Sequence, residues 1–142
     1  MIFLNATGIN KAYGKVEALR EFSLEVEQGE IFALVGPDGA GKTTFIRILC
    51  HLVQIYTGEV QIAGFDIRKD FEKVKPLLGY MPQIFSLYPD LSIEENLKFY
   101  AGLYGLTGQA YERKRDYLYD FSNLGPFAKR RAQFSHRRKL NL

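Results

Sequence analysis

The chain has 142 residues, of which 46% are hydrophobic and 25% charged, with a formal net charge of +3. That is an ordinary soluble composition with enough chain to bury a core, and a net charge too small to select a nucleic-acid, acidic or membrane-surface partner by itself. A solitary Cys50 excludes an internal disulfide, and no apolar run is long enough to span a bilayer.

Residues 2–9 predict a strand. Phe22, Leu24 and Val26 alternate with Ser23, Glu25 and Glu27, the period of a half-buried strand. Gln28-Gly29 predicts a turn. The run Ile31 to Val35 is apolar on both faces, as a strand covered on two sides is. Thr44 to Leu49 predicts a helix, with Phe45, Ile46, Ile48, Leu49 and Leu52 on a broad apolar face and Cys50 as a packing residue. Thr57 to Gly64 predicts a short strand bounded by glycines. Pro76 interrupts the next segment, and Leu78 to Met81 is a brief strand-like run before Pro82-Gln83.

Between the apolar run and the helix lies Gly36-Pro37-Asp38-Gly39-Ala40-Gly41-Lys42-Thr43, followed by Thr44. This fits G-x-x-x-x-G-K-[ST] in its required setting, after a strand-like run and before a helix. Glycines let successive backbone N–H groups converge on one concavity, and the helix adds its positive end. Lys42 supplies a mobile cation for phosphates and Thr43 a hydroxyl for Mg²⁺. The bland alternative, a chance glycine-rich turn, does not explain the flanking elements.

Composition changes in the second half. Ser92-Ile93-Glu94-Glu95 predicts a capping box, and a helix from about Ile93 to Tyr104 follows, with Leu97, Tyr100, Ala101 and Tyr104 on one face. Gly105 and Gly108 separate it from a charged helix, about Gln109 to Asn123, which Gly125-Pro126 ends. The organisation expected is a nucleotide-binding α/β core over 1–87 and a helical subdomain over 88–142. Residues 129–142 carry Lys129, Arg130, Arg131, Arg137, Arg138 and Lys139 and no acid. With Phe127 and Phe134 interleaved, they could contact nucleic-acid phosphates, although a basic run is more often a solvated helix face.

With these motifs in place the chain resembles the nucleotide-binding domain of ABC transporters, and most closely the ATP-binding subunits of drug-export systems. VGPDGAGKTT, AGFD, LGYMPQ, LYPDLSIEENLKFYAGLYGL and LGPF carry the resemblance, which covers the first part of such a domain. It implies an α/β fold: a P-loop NTPase core of N-terminal antiparallel strands with a P-loop strand and helix, and a partial helical subdomain. It implies ATP and Mg²⁺ as ligands. Gly36, Pro37, Asp38, Gly39, Ala40, Gly41, Lys42, Thr43 and Thr44 would hold the phosphates. Tyr13 would stack on adenine, and Thr43 and Gln83 would serve the Mg²⁺. The implied partners are a transmembrane permease subunit and a second nucleotide-binding domain, identical or not, with nucleic acid not favoured. The implied location is the cytoplasmic face of the membrane, held there through the permease. No basic region followed by an apolar stretch marks a signal peptide at the N-terminus. Phe85, Leu87 and Tyr88 either dock the permease or plug the core beneath their loop.

The sequence also departs from the family. Where the Leu-Ser-Gly-Gly signature belongs, it reads Gln133-Phe134-Ser135-His136-Arg137-Arg138-Lys139-Leu140, without the two glycines. No apolar run ends in Asp-Glu, and His51 and His136 are misplaced for the family's γ-phosphate sensor. His51 also stands where the family places Gly after the P-loop helix. The expectation is a phosphate cradle without the hydrolytic half, so that no catalytic residue is identified. The run Ile31–Val35 is then left with an unpaired edge that invites aggregation or a partner.

Overall fold

The computed structural model describes residues 1–55, 57–84 and 86–132. They fall into two compact units, Met1–Met81 and Pro82–Leu142.

The first unit is built on a long hairpin. Strand β1 (Ile2–Tyr13) pairs antiparallel with β2 (Val16–Glu27), from Ile2 opposite Glu27 to Tyr13 opposite Val16. The other edge of β1 takes β3 (Thr57–Ile62), whose outer edge takes the two-residue β4 (Phe65–Asp66). The sheet order is β2-β1-β3-β4. β1 runs past the predicted residue 9 because Asn10 bridges a register shift. Its side-chain amide donates to Gly8 O, Glu21 Oε1 and Thr57 Oγ1, and its Oδ1 accepts from Glu21 N–H.

Helix α1 (Lys42–Leu49) lies on this sheet. Phe45 and Ile48 enter a core made with Ala6, Ile9, Leu19, Val60, Ile62, Ile67 and Val74. The Phe45 ring lies 4.7 Å from that of Phe22 on β2. Burying side chains of this size stabilises by about 1.5–3 kcal/mol each. Of the predicted apolar face, Leu49 is half-buried, whereas Ile46 and Leu52 are exposed. Helix α1 is followed, after its C-cap Cys50, by His51, which takes a left-handed φ of 56°. There Leu52 N–H closes back on Arg47 O at 2.9 Å. Cys50 is partly buried at this helix end, and burial raises its thiol pKa. A one-turn helix, α2 (Phe71–Val74), and a 3-10 turn over Lys75–Leu77 follow, the turn admitting Pro76.

Two predicted strands are corrected. Ile31 to Val35 forms no ladder among the described residues. Ile31 is 100% and Val35 89% exposed, and only Leu34 packs on the core. Leu78 to Met81 is likewise unpaired. A strand is a relation between two segments, and no described segment supplies the second one.

In the second unit α3 (Ile93–Leu103) and α4 (Gly108–Ser122) are joined by a short turn. The capping box at α3 is complete: Ser92 Oγ accepts from Glu95 N–H at 3.2 Å, and Glu95 Oε2 accepts from Ser92 N–H at 2.8 Å. Beyond α4 and a 3-10 turn over Gly125–Phe127, the chain returns to this end. Ile93 N–H donates to Arg130 O and Glu94 N–H to Ala128 O, so the first-turn amides of α3 are all used. Tyr104, predicted on the apolar face, is 85% exposed because it is the C-cap residue, beyond the last helical turn.

Ser92→Ala should lower stability by about 1 kcal/mol, read as a lower denaturant midpoint at unchanged slope. The carboxyl of Glu95 is held below its usual range first by the Ser92 N–H and then by the Ser92 hydroxyl. Its folded pKa is therefore below its unfolded one. The contribution is present above the ordinary carboxylate range and is lost as pH falls through the lowered value. An acid titration followed by helical ellipticity should show the gap between Ser92→Ala and wild type narrowing at low pH, while the part due to the Ser92 Oγ bond with Glu95 N–H remains.

Candidate functional site

The phosphate-loop residues lie in the first unit, on the segment that joins the outer hairpin strand β2 to the core helix α1. Gly39 and Gly41 both have φ of 82°, a left-handed conformation that costs glycine little. Gly41 is also the N-cap of α1 and presses on β2. A Cβ at Gly41 would run into the Ala18 carbonyl oxygen and lie 2.8 Å from Leu19 Cδ2. Ala18 and Leu19 therefore seat the loop, and neither is marked by any sequence motif.

The two helix starts differ. Helix α3 opens on a full set of acceptors, whereas α1 has no side-chain cap and no acidic residue in its first turn. The amides of Lys42, Thr43 and Thr44 thus face outward from a helix start that carries positive partial charge. Lys42 begins the helix, and its Nζ donates to Gly36 O and Pro37 O at 2.6 Å each, folded back over the loop. Pro37 O also accepts from Ala40 N–H at 3.3 Å, which closes a turn across Asp38. Thr43 is exposed and Thr44 half-buried. An anion at this helix start would meet outward amides and a cation one rearrangement away. That chemistry fits a polyphosphate.

Tyr13 sits at the tip of the β1–β2 hairpin, 48% exposed, with Lys11 Nζ 5.3 Å from its ring centre. Lys11 pairs with Leu19 across the hairpin, so Tyr13 lies two residues along β1 from the strand pair that seats Gly41. The fold thereby brings an accessible aromatic face and the phosphate loop to the same end of the hairpin. Gln83 belongs to the second unit, where it is exposed on a bend after Pro82. Among the described residues no cluster of His, Cys, Asp or Glu could hold a metal ion unaided. Thr43 offers a single hydroxyl, which could serve a hard cation only where phosphate oxygens supplied most of its ligands.

Phe85, and Gln133 to Leu140 with Ser135 and His136, lie outside the described residues. Leu87 is half-buried and Tyr88 exposed, so the two halves of the docking-or-plug alternative fall on different residues. Asn96 was not singled out in the sequence, yet it is the buried polar residue that fixes this loop. Its amide donates to Tyr88 O, Leu91 O and Ser92 O, and its oxygen accepts from Tyr88 N–H at 2.8 Å. A lone Asn on an amphipathic helix carries no signal that would have found it.

Residues 19–140 match the family described as ABC transporter. The chain is 40% identical over 111 residues to the "Probable multidrug ABC transporter ATP-binding protein YbhF" of Escherichia coli K12, covering 78% of this chain and 19% of that protein. It is 41% identical over 116 residues to the linearmycin resistance ATP-binding protein LnrL of Bacillus subtilis 168, covering 81% of this chain and 37% of that one. Among solved structures it matches an ATP binding subunit of an ABC transporter with a TM-score of 0.76 and 29% identity, over 89% of this chain and 53% of that chain. The chain spans well under half the length of these two curated relatives. With an antiparallel sheet, a glycine loop and a helix arranged as that likeness requires, the chain belongs to the ABC transporter family.

Proposed function

We propose that these residues form the nucleotide-holding part of an ABC transporter ATP-binding subunit, with Mg-ATP as ligand. The observation that carries the reading is the uncapped start of α1, with Lys42 folded onto the Gly36 and Pro37 carbonyls. An entering phosphate would take the Lys42 ammonium from those carbonyls, and the α1 amides would donate to its oxygens. Gly36, Gly39 and Gly41 shape the cradle, with Pro37, Asp38 and Ala40 as its spacers. Thr43 and Thr44 offer hydroxyls to the cation side, Tyr13 a face for adenine, and Gln83 a ligand near Mg²⁺ and the attacking water. Bound Mg²⁺ would offset phosphate charge.

The organisation proposed is a nucleotide core over 1–87 and a helical subdomain over 88–142. The whole protein would energise efflux by a transmembrane permease. It would pair with a second nucleotide-binding domain and sit on the cytoplasmic membrane face. YbhF and LnrL, by their names, point to drug-like cargo. Among the described residues no helix is long and apolar enough to cross a membrane, so this chain's described part would need that permease. The exposed Tyr88, beside Phe99 at 4.9 Å between ring centres, is the proposed contact for it.

A second reading has its own support: no apolar run ending in Asp-Glu occurs in the sequence. Water activation is one of the necessary parts of phosphoryl transfer, so these residues would bind ATP without turning it over. Calorimetry of Mg-ATP on the 142-residue chain and on Lys42→Ala, with phosphate release followed in parallel, tests both. Saturable binding that Lys42→Ala weakens at least about tenfold, the loss of one charge-assisted contact, supports the cradle. Equal binding by the variant removes it. Phosphate release that disappears with Lys42→Ala would reject the reading of binding without turnover.

A further inference from the structure

The first unit contains a cavity that the nucleotide reading leaves unused. It has a volume of about 400 Å³ and lies beyond the C-terminal end of α1, between the chain leaving that helix and the turn after β4. Lys42 stands at the opposite end of α1, about 12 Å away along an eight-residue helix. Val53 and Ile55, both half-buried, line the cavity together with the buried Ile67. His51, Gln54 and Arg68, all exposed, line it too, so its wall is as polar as it is apolar.

These polar side chains are accessible and largely unengaged. His51 and Gln54 make no side-chain hydrogen bond among the described residues. The His51 ring is braced by that of Phe71, 4.5 Å away between centres. Arg68 Nε lies 3.5 Å from Asp66 Oδ1, which also accepts the Arg68 backbone N–H at 2.8 Å. That fixes one edge of the guanidinium and leaves its two terminal nitrogens without a partner among the described residues. Of the described residues in the wall, Arg68 alone carries a full charge. Asp66 offsets part of it, and Lys69 Nζ, 4.0 Å from Asp66 Oδ2, offsets Asp66 in turn. The end of α1 carries negative partial charge, but its closing turn draws on those carbonyls. Ile46 O accepts from Cys50 N–H, Ile48 O from His51 N–H and Arg47 O from Leu52 N–H. A cation entering here would meet the guanidinium, whereas a carboxylate would meet a planar fork of donors and the Gln54 amide beside it.

We infer that this cavity is a binding site for a small amphipathic carboxylate, its carboxylate held by Arg68 and Gln54 and its hydrocarbon body packed on Val53, Ile55 and Ile67. The His51 imidazole completes the polar side of the site. The volume is within the range of small-molecule sites, in which a few polar groups orient an apolar body.

The test titrates hexanoate into the 142-residue chain and follows the backbone amides by NMR. The expected result is saturable shifts centred on Val53, Ile55 and Ile67, undiminished in Lys42→Ala, which alters only the phosphate loop at the other end of α1. Arg68→Gln removes a charge-assisted contact and should weaken binding about tenfold or more. Gln54→Leu, which leaves the turn around Asp66 untouched, should weaken it about threefold. Both side chains are exposed, so neither change disturbs the core. Hexanol and hexylammonium share the hydrocarbon body without the carboxylate, and each should bind at least about tenfold more weakly than hexanoate. The inference fails if hexanoate gives no saturable shift, if Arg68→Gln binds it as tightly as wild type, or if hexanol binds as well as hexanoate. It fails equally if the shifts centre on Lys42 to Thr44 and vanish in Lys42→Ala, which would place the anion on the phosphate loop.

Discussion

Gly41→Ala should destabilise the first unit by on the order of 2–4 kcal/mol and remove nucleotide binding with it, whereas Gly39→Ala should cost only about 1–2 kcal/mol. The two glycines share a φ of 82°, so the backbone strain of an added Cβ is the same at both. Their surroundings differ. Nothing lies within 4 Å of a Cβ at Gly39, whereas at Gly41 it would strike the backbone of Ala18 and the side chain of Leu19. A carbonyl on a paired strand cannot move aside cheaply, so the loop would have to lift from β2 and carry the start of α1 with it. Denaturant unfolding of both variants separates the two terms. Equal losses would show that strain alone acts at Gly41 and that β2 does not seat the phosphate loop. Binding lost in Gly41→Ala but kept in Gly39→Ala would place the functional requirement on the seat, because Lys42 follows Gly41 directly.

What could be read from the sequence was local. The glycine loop and the capping box at Ser92 and Glu95 each depend on neighbours within a few residues, and each is present. Relations across the chain were harder to read. Ile31 to Val35 has the composition of a buried strand, but pairing needs a second segment, and its exposed Ile31 and Val35 show that composition alone does not supply one. The exposed Ile46 on α1 makes the same point for a helix face. Apolar residues there predict burial correctly only on the side where the antiparallel sheet provides a surface. The seat of the loop on Ala18 and Leu19 was invisible for a related reason. What identifies a seating residue is the glycine it touches, and that lies more than twenty residues further on.

Asn96 gives the second large effect, with a direction of pH dependence that distinguishes its mechanism. Its side chain is 1% exposed and holds both backbone polar groups of Tyr88, accepting from the N–H at 2.8 Å and donating to the carbonyl at 2.9 Å. Asn96→Leu keeps the volume and leaves those groups without partners inside the unit. The expected cost is about 2–5 kcal/mol, one desolvation penalty for each of the two groups. Asn96→Asp keeps the acceptor for Tyr88 N–H but turns an oxygen toward the carbonyls of Tyr88, Leu91 and Ser92, which the amide nitrogen now serves. The new carboxyl can satisfy a carbonyl only while protonated, so its folded pKa must lie above its unfolded one. The variant's residual stability is then present below the ordinary carboxylate range and is lost as pH rises through the raised value, the reverse of the wild-type trend at Glu95. Melting temperatures of Asn96→Asp that climb on acidification toward the carboxylate range, while those of Asn96→Leu do not, would establish that the amide donors hold the loop. A flat profile in Asn96→Asp would show instead that the loop bearing Tyr88 is set by the ring contacts of Phe99 and Tyr100, and that the proposed permease contact owes its shape to those rings.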